Sequence, residues 1–184
     1  LFLFVSNSFS QEDPYLQFLN FIDNGNYIFE IQYFQEQFGS QYEYKGDLYF
    51  ISSSYYIFDG LSQRIIFQDG EITTINKNNK QIILDSMIPG ETTIFDILSG
   101  SRNSLQINQV ILEKNGFKIN FRLTDLELFG AIWTIPLVGQ PKEILLELGP
   151  ESYIKIRIIS IKPLDINQLE KIDFNQFETI DLRE

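Results

Sequence analysis

The fold turns on residues 44–85, YKGDLYFISSSYYIFDGLSQRIIFQDGEITTINKNNKQIILD. Short runs rich in Tyr, Phe and Ile are separated here by Lys45-Gly46, Asp59-Gly60, Asp69-Gly70 and Asn78-Asn79, pairs that accept the positive backbone dihedrals of tight hairpin turns. The stretch reads as an antiparallel meander. Aromatic and branched side chains fall on both sides of the alternation, so one sheet face is expected to meet a core and the other a second apolar surface. That second face is where function is sought.

The flanks alternate in the same way. Tyr27 to Phe38 sets Tyr27, Phe29, Ile31 and Tyr33 against Ile28, Glu30, Gln32 and Phe34, a strand with one clean face. Glu43 to Ser52, Tyr55 to Phe58, Arg64 to Gln68, Glu71 to Asn76 and Lys80 to Asp85 continue it. About six consecutive antiparallel strands cannot stay flat, so strong twist and curl are expected. Upstream, Pro14 to Asp23 places Leu16, Leu19 and Ile22 at helical spacing with Phe18 and Phe21 beside them; Asp13 or Pro14 starts this helix and Asn24-Gly25 stops it. Downstream, Pro89-Gly90 turns the chain, and Thr92 to Leu98 reads as a short helix ended at Gly100, with Ile94, Ile97 and Leu98 on one face. Strands resume at Leu105 to Glu113 and Phe117 to Asp125, joined by Lys114-Asn115-Gly116, then at Ala131 to Leu137 and Glu143 to Leu148 about the Gly139-Gln140-Pro141 turn, then at Tyr153 to Ile161. Asn167 to Glu184 reads as one helical turn followed by an edge strand. No repeat or linker divides residues 11–184, which are read as a single domain.

Composition removes whole classes of function. The net charge is −11, with 14 Lys and Arg against 25 Asp and Glu, which excludes a nucleic-acid partner and disfavours adsorption to anionic lipid. The chain has no Cys and no His. Disulfides, thiolate metal sites, a lipidated cysteine and the usual nucleophile and base pairs go with them. No patterned acidic loop for calcium appears, and no cofactor is expected. Asp47, Asp59 and Asp69 are glycosidase carboxylates by position only. Acidic residues in turns more often shape the turn, and the chain is read as a non-enzyme. Residues 1–10, an apolar run passing into Ser8-Phe9-Ser10, read as the remnant of a secretory signal, the alternative being a hydrophobic terminal strand or helix. No other apolar run approaches the roughly 18 residues of a membrane span. An exported, cysteine-free protein is expected in the periplasm.

The central stretch also resembles a family. Gly46-Asp47-Leu48-Tyr49, followed ten residues later by an aromatic pair and then by Asp69-Gly70 opening a strand that ends in an Asn turn at Asn76 to Asn79, looks like LolA. Phe29, Tyr33 and Gln35 upstream, and Phe174-x-x-Phe177 with Ile180-Asp181-Leu182-Arg183 downstream, agree with the same pattern. The resemblance spans most of the chain from Phe29 to Arg183. It implies an α+β fold: a strongly curved antiparallel sheet forming a half-open β-barrel, with short α-helices covering the open side. It also implies a soluble, monomeric periplasmic carrier that takes acylated lipoproteins from an inner-membrane exporter to an outer-membrane acceptor, without inserting stably in a membrane.

Carried over position by position, the resemblance puts Tyr56 and Phe58 on the cavity wall, with Leu48 and Phe50 on their strand's inward face and Ile65 and Phe67 added. Ile94, Ile97 and Leu98 belong to the lid. The family has a basic residue and a proline after the Gly-x-Leu strand, the arginine holding the lid, where this chain has Ser52 and Ser53. Candidates for the latch are therefore Arg64, Arg102 or Ser52 itself, whose hydroxyl cannot reproduce a forked guanidinium. Seventeen Phe and nine Tyr would either fill a β core or, collectively, line an acyl cavity. Three readings stay open: lipoprotein carrier, a glycolipid binder or lipoprotein sensor on the same fold, and a structural or interaction β domain with a filled interior.

Overall fold

Local chemistry sets the ends of the first helix, α1 (Pro14–Asp23). Pro14 fixes the opening φ, and the Asp13 carboxylate accepts the Tyr15 N–H at 2.9 Å. The computed structural model describes residues 13–24, 26–52, 54–87, 94–98, 105–124 and 126–183. The expected signal remnant and Arg102 fall outside them. Helix α1 buries Phe18, Leu19 and Ile22, whereas Leu16 is 49% exposed. The apolar stripe is thus rotated from the one expected, because Gln17 also turns inward and its Oε1 accepts the Leu137 N–H at 3.1 Å. Gly139 lets the helix sit this close: a Cβ there would stand 2.1 Å from the Gln17 carbonyl oxygen.

The strands are β1 (Tyr27–Gln37), β2 (Ser40–Ser52), β3 (Tyr55–Gly60), β4 (Gln63–Gln68), β5 (Glu71–Asn76), β6 (Gln81–Ser86), β7 (Leu105–Glu113), β8 (Gly116–Leu123), β9 (Leu128–Thr134), β10 (Pro141–Gly149), β11 (Ser152–Pro163) and β12 (Glu178–Asp181). They form one sheet in the order β12-β6-β5-β4-β3-β2-β1-β11-β10-β9-β8-β7. Two meanders, β1–β6 and β7–β11, are joined side by side through the β1–β11 pair. All pairs are antiparallel except β12 on β6, which is parallel. A short helix, α2 (Ile94–Leu98), packs against β10. The sheet does not close on itself, and α1 and α2 pack on its concave face: this is the half-open, helix-covered α+β architecture.

Turn chemistry departs from expectation at three places. Lys45-Gly46 is not a turn; it lies inside β2, where Gly46 pairs with Gly60. A side chain at Gly46 would meet the Asp59 carbonyl at 2.5 Å and the Phe58 ring at 2.8 Å, so glycine is there to admit that ring. The first hairpin instead turns at Phe38-Gly39, both with positive φ, a two-residue connection that fits the twist of paired strands. Asp59-Gly60 closes β3, and Leu61-Ser62 makes the reversal. Finally, β9 ends at Thr134, because Ile135 to Gly139 folds back with the Gly139 N–H on the Ile135 carbonyl at 2.9 Å.

The core fills the concave side, where Phe18, Phe29, Phe121, Ile119, Ile132, Ile144 and Ile156 are all at or near zero exposure. The second apolar face is real but small. Ile28, Tyr49 and Ile57 are buried on the convex side, with Leu164 and Leu169 of the C-terminal segment packed over them. Covering three such side chains stabilises by several kcal/mol at about 1.5–3 each. Part of the face expected to carry function is therefore covered by the chain itself, and an apolar cavity opens on the concave side.

Candidate functional site

Curvature brings the two meanders face to face across a cavity of about 420 Å³. One wall is Tyr56, Ile65, Phe67, Ile72 and Thr74, from β3, β4 and β5. The facing wall is Leu128 of β9, Leu146 and Leu148 of β10 and Ile154 of β11, with Leu126 beside them. Tyr33 and Ile94 complete the lining, Ile94 from α2. No charged side chain contributes. The Tyr56 and Phe67 rings stack with centroids 4.7 Å apart, which fixes one wall as a flat aromatic surface.

A second cavity of about 260 Å³ shares Tyr33 and Ile65 with the first and adds Gln35, Tyr44, Phe58 and Gln63. Here the lining turns polar without becoming charged. The Tyr33 hydroxyl donates to Gln35 Oε1 at 3.2 Å, and Gln35 Nε2 donates onward to Gln37 at 3.3 Å. Burial, and then the neighbouring Tyr44, push the Tyr33 phenol up to about 12, so it stays a neutral donor at physiological pH.

The residues singled out from sequence divide between wall and core. Tyr56, Ile65 and Phe67 line the larger cavity, and Phe58 and Ile65 the smaller. Leu48 and Phe50, at 1% and 6% exposure, are packed into the core and line neither. Of the lid residues Ile94 lines the cavity, while Ile97 and Leu98 are fully buried. Sequence reasoning missed Tyr33, Ile72, Thr74 and the whole facing wall, because which strands oppose one another across the open sheet is a tertiary fact.

The latch reading of Arg64 is corrected by its surroundings. Arg64 sits on the convex face, where Nε and Nη2 hold the two carboxylate oxygens of Asp59 at 3.0 and 2.9 Å. Nη2 also donates to the Glu170 carbonyl at 2.8 Å. Lys77 Nζ joins the same knot, 2.9 Å from Asp59 Oδ1 and 3.1 Å from Glu170 Oε2. Alternation along β4 points residue 64 away from the cavity that Ile65 faces, so Arg64 straps the C-terminal segment instead of holding α2. Ser52 is exposed, and its hydroxyl accepts the Ser54 N–H at 3.4 Å. For Asp59, burial raises the carboxyl, but the hydrogen bonds and charges of Arg64 and Lys77 outweigh it and hold the group below its ordinary value. Among the described residues, no group of three His, Cys, Asp or Glu could hold a metal ion.

Neither a family model nor a curated protein matches the sequence. Among solved structures, the chain is similar to an uncharacterized conserved protein from Thermus thermophilus, at 10% identity and a TM-score of 0.55, over 91% of this chain and 96% of that one. It is also similar to LolA superfamily protein NE2245 from Nitrosomonas europaea, at 10% identity and a TM-score of 0.47, over 82% and 93%. LprF from Mycobacterium bovis follows at 5% identity and 0.42, over 83% and 95%. Each is a likeness of fold. The first, nearly complete on both sides, makes this a fold seen before, and the other two superpose too loosely to add to it.

Proposed function

We propose that this chain is an acyl-chain carrier that works without chemical catalysis. The observation that carries the reading is the uncharged cavity between the two meanders, walled by apolar side chains from both, with Ile94 of α2 in its lining. Such a surface gains about 0.8 kcal/mol for every methylene it removes from water. At about 420 Å³ the cavity stands in the lower part of the range usual for ligand pockets, which suits a single chain. A cargo with several chains requires α2 to move off β10. The resemblance of Gly46 to Tyr49, Tyr56, Phe58 and the Asp69-Gly70 hairpin to LolA supports the finer role: a periplasmic carrier that moves lipoproteins from an inner-membrane exporter to an outer-membrane acceptor. Differential affinity between α2-open and α2-closed states would set the direction of transfer. No described helix is long and apolar enough to cross a membrane.

Binding of a fluorescent fatty-acyl probe tests the reading. Ile72→Glu and Leu148→Glu place a carboxylate on opposite walls at half-buried positions, where burying an unpaired charge against a methylene chain is strongly unfavourable. The chain should bind the probe saturably, and each variant should weaken binding at least about tenfold while its melting temperature stays close to the parent's. A parent that takes up no probe, or two folded variants that bind as the parent does, would overturn the assignment.

A further inference from the structure

Both cavities are free of charge in a chain that is 21% Asp, Glu, Lys and Arg. The larger is apolar, and the smaller, which shares the lining residues Tyr33 and Ile65 with it, carries amides and phenols. We propose that the smaller cavity is a head-group site for an uncharged, hydroxyl-bearing head, so that among single-chain lipids the site takes a neutral acyl lipid in preference to a fatty acid or a phospholipid. This rests on the acyl-binding reading above and names the class of ligand for the same site.

Strand register explains how the polar end arises. Gln63 pairs with Asn76 and Asn76 with Gln81, so adjacent strands place three side-chain amides in one row at this end of the sheet. On β1 and β2 the same end holds Tyr33 paired with Tyr44, their ring centroids 6.0 Å apart. Charges stand next door in sequence but not in the cavity: Arg64 is bound to Asp59 on the convex face, and Lys77 to Asp59 and Glu170. A carboxylate or phosphate in the cavity would lose water and find no cation. A hydroxyl meets groups that both donate and accept. The Gln63 amide does both, the Tyr44 phenol does both, and the Tyr33 oxygen can still accept after giving its proton to Gln35. The rim is only half-buried, so water screens part of the penalty, and discrimination of about tenfold is expected instead of the far larger ratios of a sealed site.

Displacement of the bound fluorescent acyl probe from the whole chain tests this with three lipids that share one palmitoyl chain: 1-monopalmitoylglycerol, palmitate and palmitoyl-lysophosphatidylglycerol. The neutral lipid should displace the probe at concentrations at least about tenfold lower than either anion. Gln63→Lys supplies the missing cation and should shift preference toward palmitate. Tyr44→Phe, at a position 39% exposed, should weaken the glycerol lipid and leave palmitate unchanged. Equal or better displacement by the anions, or a palmitate-to-glycerol ratio that neither variant moves, would overturn the head-group assignment alone. Failure of the parent chain to bind the probe would overturn the acyl reading, and this one with it.

Discussion

Gly46 shows how much one residue decides. Its missing side chain leaves room for Phe58 to lie across β2, and Phe58 forms the boundary of the polar cavity. Gly46→Ala forces contacts of 2.5 Å to backbone and 2.8 Å to the ring, an overpacking that costs about 1–3 kcal/mol. The melting temperature should fall by several degrees, as read by calorimetry; an unchanged value would mean that Phe58 is free to move aside. The glycine itself was visible in the sequence, but its meaning was not, since Lys-Gly between apolar runs also spells a turn. The aromatic wall rests on the resemblance and not on alternation alone. Of the positions it implies, Tyr56, Phe58, Ile65 and Phe67 line a cavity, whereas Leu48 and Phe50 are simply packed. Nor is every wall residue a neutral place for a charge. Tyr56 is 3% exposed and stacked on Phe67, so a glutamate there would test folding before it tested binding.

At the scale of elements, the C-terminal strap is the feature that sequence did not reveal. Residues 164–174 cross the convex face, held by Leu164 and Leu169 against Ile28, Tyr49 and Ile57 and by the Arg64–Asp59–Lys77–Glu170 knot. Nothing in the alternation says that Arg64 is buried, because a charged residue on an outward position normally faces water. Arg64→Met leaves Lys77 to neutralise Asp59, so the loss should sit at the lower end for a broken buried pair, about 3 kcal/mol. The pH dependence follows from Asp59. Its folded carboxyl lies below the ordinary 3.8, so its contribution is full above that value and disappears as the pH falls through the lower folded one. Hydrogen exchange across residues 164–174 should stay protected at neutral pH and open in acid below 3.8. In Arg64→Met opening should begin at a higher pH; protection indifferent to both pH and Arg64 would remove the knot as the strap's anchor. Helix α1 was legible in extent but not in rotation, because its orientation depends on Gln17 and Gly139 meeting across the fold.

The whole molecule is two meanders curled toward each other and left unsealed, with α1 and α2 packed into the concave side. Most strands announce themselves by alternation, and the half-open class follows from the resemblance, but the hairpins at Phe38-Gly39 and Leu61-Ser62 do not turn where the expected residue pairs stand. The cavity could not be read fully, since half of its wall comes from strands more than 50 residues away in sequence. Its lack of charge and its position between the meanders are the reasons for assigning it an acyl chain. Native mass spectrometry of the protein recovered from its own cells, with lipid extraction of whatever adds mass, tests that assignment most directly. The expected result is an adduct of one acyl lipid per chain that disappears on delipidation and returns with added lipid. A bare protein mass, together with no uptake of an acyl probe, would contradict it and leave a β domain whose interior is closed to ligands.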